Sequence, residues 1–210
     1  MEAGSAQVQQ ALASGEFNKL VTLCEDVELA LQEELPDTPS AEQANHVGLL
    51  YAVHLLAYLL EGRLHAARFL WKRTPAAIQQ HAQAAAAHGV LAARWRRQHA
   101  EVFQQLGGGA WEASLQPLVN EVISRSRDEL LGQVGEAYKV IAVTAVAAML
   151  GLDDGAVRQL CAQRGWAVDE AGFAHPTPAK RAEDLLEMGE DQLKRLAEYV
   201  SYLELPQCRI

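Results

Sequence analysis

Two glycines open copies of one apolar pattern in the first half of this chain, and that repetition restricts its folding more than any other feature. When Gly15 is laid on Gly62, the residues Phe17, Leu20, Leu23 and Cys24 fall on Leu64, Ala67, Leu70 and Trp71. Steps of three and four place such residues on one face of a helix. The same spacing returns weakly at Ala100, Phe103 and Leu106. A helix, turn, helix unit cannot bury a single apolar stripe alone, so units of this kind stack. The expected architecture over residues 1–137 is therefore an α-solenoid of tetratricopeptide-like helical repeats, too irregular in length for a strict array. Composition agrees, because half of the residues are apolar and only 6% are aromatic, a mixture poor in strand formers. At roughly 150 residues per domain, 210 residues make one large domain or a repeat array with a small appended module.

Along the repeat region the spacing predicts two short helices between Val8 and Leu31, joined at Ser14-Gly15. A loop follows over 33–45, where Pro36 and Pro39 stand among acidic and small residues. Apolar helices are expected over Leu49–Leu60 and Leu64–Arg73, then alanine-rich helices from Pro75 to Gln105. Gly107-Gly108-Gly109 reads as a break, and one or two more helices should fill 113–138. The pattern changes after Tyr138. Val140-Ile141-Ala142-Val143 is a short β-branched run, and Thr144 is a candidate N-cap for a helix stopped at Gly151. Asp153 caps a second helix, and Gly165 ends it before two short extended runs, 166–168 and 172–174. Strand, helix, turn, helix, hairpin is the order of a winged helix, expected over 138–175. A polar linker over 176–189 then leads to an amphipathic helix over 190–204.

Charge narrows the function. Eighteen Lys and Arg face 27 Asp and Glu for a net charge of -9, which works against a nucleic-acid backbone. A winged helix can read duplex DNA through its second helix, but here that helix begins with Asp153 and Asp154, offset only by Arg158 and Arg164. Lys72-Arg73 and Arg94-Trp95-Arg96-Arg97 are the main basic clusters. They read as solvated helix faces with Trp71 and Trp95 turned into the core, in preference to an RNA track, or as a local basic patch for an acidic partner. Cys24, Cys161 and Cys208 are widely spaced and odd in number, which fits a reducing compartment. No secretory leader or membrane span is expected, so the sequence points to cytoplasm or nucleus.

Catalysis and cofactors find no support. None of the seven histidines sits in a His-Glu-x-x-His or His-x-His arrangement, and His81 and His88, seven apart on a possible common face, lack a third ligand. No nucleophile elbow or phosphate loop is present, and no small-molecule substrate is implied. The binding features are structural. An edge strand of the small sheet offers unpaired backbone groups to a neighbouring subunit, with Val168 and Phe173 as candidate contacts. The last helix is marginal alone in water and needs a partner surface for Leu193, Leu196, Val200 and Leu203, most naturally a helical bundle. Its polar face carries the pairs Glu190 to Lys194 and Asp191 to Arg195.

The string Ala67-Arg68-Phe69-Leu70-Trp71-Lys72-Arg73-Thr74-Pro75-Ala76-Ala77-Ile78 closely resembles the signature of the subunit-eight family of the COP9 signalosome, a family of PCI-domain proteins. Ala137-Tyr138, Leu150-Gly151-Leu152, Gly165-Trp166-Ala167-Val168-Asp169 and the run from Gln192 to Glu204 follow in the same order, so the likeness covers about Phe17 to Glu204. The resemblance implies a non-enzymatic scaffold subunit in cytoplasm and nucleus, with no cofactor. Its winged helix would pack against a neighbouring PCI subunit, subunit three first, and its last helix would enter the central bundle. The signalosome removes the ubiquitin-like modifier from cullins and so regulates cullin-RING ubiquitin ligases, with its catalytic zinc in another subunit. The rival readings are a small PCI subunit of translation initiation factor three or of the proteasome lid, and a winged-helix nucleic-acid binder.

Overall fold

A computed structural model of the chain describes residues 2–34, 41–177 and 193–201. Its helices are α1 (Glu2–Ser14), α2 (Leu20–Glu34), α3 (Ala41–Leu60), α4 (Leu64–Arg73), α5 (Ala76–Gln79), α6 (Ala82–Trp95), α7 (His99–Gly108), α8 (Gln116–Ala137), α9 (Val143–Leu150) and α10 (Asp154–Gln163). A helical stretch over 193–201 is called α11. Three short strands, β1 (Ile141–Ala142), β2 (Ala167–Val168) and β3 (Phe173–His175), form one antiparallel sheet in the order β1-β3-β2. The chain is mainly helical with a small sheet, as expected.

The helix α3 is the axis of the first core because it is apolar nearly all round, and such a helix must be covered on all sides. Val47, Ala52, Leu55 and Leu56 are fully buried, and α2, α4, α5, α6 and α8 all pack on it. It also corrects a boundary. The loop expected over 33–45 is helical from Ala41 onward. Glu42, Gln43 and Asn45 are exposed there, so the first turn stands clear of the core and carries no apolar period. The break expected at 107–109 is likewise shorter, since α7 runs through Gly108 and stops at Gly109.

The helix α8 joins two cores. Leu118, Val119 and Val122 lie in the first core, and Leu130, Leu131 and Val134 in the second, with Ile123 between them. The second core is completed by Phe103 from α7, Val146 and Leu150 from α9, Val157 and Cys161 from α10, Trp166, and Ile141 and Ala174 from the sheet. Asp153 caps α10 as its sequence predicts, its Oδ2 accepting from the Ala156 N–H at 3.2 Å. Thr144 does not cap α9. The helix starts two residues earlier, with Ala142 in the cap position, and the Val143 N–H donates to the Gly172 carbonyl at 2.9 Å. A first-turn amide is thus satisfied by the neighbouring hairpin, which leaves the threonine hydroxyl no capping task.

Five helices end in the same way, with a left-handed residue followed by an amide that reaches back five residues. The bonds run from Glu16 to Ala11, Arg63 to Tyr58, Gln98 to Ala93, Leu152 to Ala147 and Trp166 to Cys161, at 2.8–3.1 Å. The left-handed residues are Gly15, Gly62, Arg97, Gly151 and Gly165, with φ between 58° and 73°. Arg97 alone carries a Cβ, which clashes with its own following carbonyl in this conformation. Arg97→Gly is expected to stabilise the chain by about 1 kcal/mol, the left-handed cost removed less the extra entropy of glycine. Urea denaturation of the two proteins checks it, and an unchanged or lower midpoint would show that the side chain holds the turn.

Candidate functional site

The C-terminal helix α11 presents a run of uncovered apolar side chains. Leu193, Leu196 and Val200 follow one another at helical steps of three and four, and they are 67%, 59% and 51% exposed, with Tyr199 at 67%. No residue of 193–201 is buried. Leu203, expected on the same stripe, lies outside the described residues, as do Glu190 and Asp191. A helix this short has little stability of its own in water, so its apolar stripe is placed to meet another surface.

The sheet forms the second candidate face. In the register Ile141 stands opposite Ala174 and Val168 also stands opposite Ala174, and these three side chains turn toward the second core. Phe173 stands opposite Ala142 on the other face, its ring 42% exposed. Val168 is therefore on an edge strand but points inward, so only its backbone is offered to a neighbour. Phe173 is on the central strand, and what it offers is its ring. The hairpin is fixed by Asp169, whose Oδ1 accepts from the Phe173 N–H at 2.7 Å. That bond holds the Asp169 carboxyl below the usual carboxylate range, and His175, 3.5 Å away, adds to it. Tyr138 and Val140, just before β1, are also about half exposed.

One arginine of each basic cluster is spent inside the molecule. Arg73 grips Glu28 with two hydrogen bonds, the Nη2 to Oε2 bond at 2.6 Å. Arg94 binds Glu129 and the Ser126 hydroxyl, and Arg164 binds Asp128 at 2.7 Å. Trp71 is half-buried and stacks on His88 with ring centres 4.1 Å apart. Trp95 corrects its expectation, because it is 42% exposed rather than turned into the core. It is the last residue of α6. His81 and His88 do not share a face, since His81 precedes α6 in an extended conformation with its ring against Gly48.

A buried polar network links α2, α3 and α4, and sequence reasoning missed it. Glu28 is 6% exposed and His54 2%, with His54 Nδ1 3.7 Å from the Glu28 carboxylate. Tyr58 donates to Glu25 at 2.9 Å, and Arg63 lies 3.3 Å from the same carboxylate. The available signal was an acidic residue on the apolar stripe Cys24, Val27, Leu31. The arrangement suits structure better than catalysis. Burial pushes the Cys24 thiol up to about 12, and burial with the charges of Arg73 and Arg63 drives His54 down to about 3. A protonated thiol beside a neutral imidazole supplies no nucleophile at neutral pH. Among the described residues no group of three or more His, Cys, Asp or Glu is placed to hold a metal ion. No described helix is long and apolar enough to cross a membrane.

Uncovered apolar side chains thus stand at the C-terminal helix and on the small sheet, and faces of this kind suit packing against other chains. Residues 46–184, about two thirds of the chain, match the family model for the CSN8/PSMD8/EIF3K family, and the chain belongs to that family. It is 31% identical over 190 residues to COP9 signalosome complex subunit 8 of Xenopus laevis, covering 90% of this chain and 92% of that protein. The subunit 8 of Arabidopsis thaliana is 27% identical over 198 residues, 94% of this chain and 97% of its own. That of Xenopus tropicalis is 30% identical over 190 residues, 90% and 93%. The family reached from Ala67 to Ile78 in the sequence is thus the one that the comparisons find.

Proposed function

We propose that this chain serves as the eighth subunit of a COP9 signalosome, a scaffold that supports cullin deneddylation and so regulates cullin-RING ubiquitin ligases without chemistry of its own. One observation carries the reading: similarity to subunit-eight proteins runs over nine tenths of this chain and of theirs. In this reading the stacked helices before 138 form the solenoid, and residues 138–175 form a winged helix. The strand, helix, turn, helix and hairpin order and the β1-β3-β2 sheet support the latter. The Phe173 ring and the backbone edge at Val168 meet a neighbouring PCI subunit, subunit three first. The stripe of Leu193, Leu196, Val200 and Leu203 enters the central helical bundle. The chain works in cytoplasm and nucleus with its complex.

Affinity purification of the tagged full chain, beside a version ending at Gly189, tests both halves. The full chain is expected to bring down the other signalosome subunits. The shortened chain is expected to lose the bundle partners while keeping its PCI neighbour. Recovery of initiation-factor or proteasome-lid subunits in their place would overturn the assignment. An undiminished bundle after truncation would overturn the role given to the last helix.

A further inference from the structure

Apart from the two apolar faces, the surface carries an open groove of about 610 Å³ where the start of α4, the turn between α6 and α7, and the middle of α8 meet. Trp95 forms one wall and keeps 42% of its surface exposed. The His65 ring meets it edge-on at 5.2 Å, and the Arg68 guanidinium lies 5.0 Å from its ring centre. Arg97 stands beside it on the rim. Arg94, also lining the groove, is neutralised by Glu129. Arg68 and Arg97 pair with no carboxylate among the described residues. Two free guanidiniums about an exposed indole run against a chain whose net charge is -9.

Arg97 supplies the second argument. Of the five helix ends built on a left-handed residue, this is the one that does not use glycine. Among the described residues its side chain makes no hydrogen bond or ion pair that would repay the backbone cost. The turn alone gives no reason for an arginine, whereas a guanidinium held at the mouth of a groove does. We infer that this groove binds an acidic linear segment of a partner protein, with its carboxylates on Arg97 at the rim and on Arg68, which lies outside the groove lining against Trp95, and an apolar side chain against the indole. Guanidinium and carboxylate match in geometry and charge, and the part of the indole left open beside Arg68 and His65 gives the apolar residue a surface to pack on. Glu129 and the acidic surroundings oppose any anion, and they weigh more on a phosphate backbone, which carries a charge on every unit, than on a segment whose carboxylates are separated by apolar residues. The inference stands apart from the signalosome assignment and holds or fails without it.

The test is a fluorescence-anisotropy titration of the full chain with a labelled peptide of mixed aspartate and glutamate containing one leucine and one phenylalanine. Its control is the same peptide with asparagine and glutamine in place of the acids. The acidic peptide is expected to bind at least about fivefold more tightly than the control, and raising salt should weaken it. Arg97→Gly should weaken it about fivefold in a protein that is more stable, so unfolding cannot explain the loss. Trp95→Ala should weaken both peptides. Equal binding of acidic and neutral peptides, wild-type affinity in Arg97→Gly, or stronger binding of single-stranded oligouridylate would each overturn the inference.

Discussion

Replacing Arg73 with methionine is expected to lower the stability of the folded chain by about 2–4 kcal/mol. The loss comes from the partner, because Glu28 is 6% exposed and its carboxylate is left among Cys24, Val27 and Tyr51 without the guanidinium that balances it. Removing one member of a buried pair typically costs about 3–5 kcal/mol. The Arg73 side chain is 43% exposed, so water enters on that side and the figure is reduced. Adding Glu28→Gln to Arg73→Met removes the stranded charge and should bring stability back to within about 1 kcal/mol of the parent. Urea denaturation of the single and double variants reads both. A loss below about 1 kcal/mol for Arg73→Met would mean that the carboxylate is already solvated and that the network is decoration.

The second large effect is a fall in stability on acidification. His54 is held down to about 3 in the folded chain by burial first and by Arg73 and Arg63 second, whereas in the unfolded chain it titrates near 6.5. Between those values the unfolded state binds a proton that the folded state refuses. Stability is therefore complete above about pH 6.5 and drains away as pH falls toward 3, by at most about 1.4 kcal/mol per pH unit. The expected loss is about 2–3 kcal/mol from pH 6.5 to 4.5, before the carboxylates begin to titrate. His88 and His99, also pulled down chiefly by burial, add to the slope in the same direction. His54→Phe, which keeps a ring beside Tyr58, should flatten most of it. The check is the urea midpoint of parent and variant across that window. An unchanged slope in the variant would assign the effect to other groups.

Local signals gave the elements their positions. Leu64–Arg73 has the bounds expected of it, and Gly15, Gly62, Gly151 and Gly165 mark four helix ends because a left-handed residue favours glycine. The fifth end was illegible, since Arg97 stands where a glycine signal would be read. The buried network escaped for a related cause. Glu28, His54 and Arg73 come from three helices, and nothing in their spacing shows that the three faces converge. Of the candidate site, the apolar stripe of the last helix could be read from its period. The direction of Val168 could not, because a two-residue strand has too little alternation to reveal which face is buried.

That this chain is helical, where most of its helices stop, that its charge disfavours nucleic acid, and to which family it belongs were all legible in the amino-acid order. Each of those follows from neighbours along the chain or from short signatures, and needs no knowledge of what lies across from them. Packing across the fold set the rest: α8 ties two cores together, Thr144 yields its capping task to a hairpin carbonyl, and Trp95 and Arg97 line a groove instead of closing a core. These depend on residues far apart in the chain meeting under close packing, where volume and hydrogen-bond satisfaction select one arrangement among many that local preference would allow.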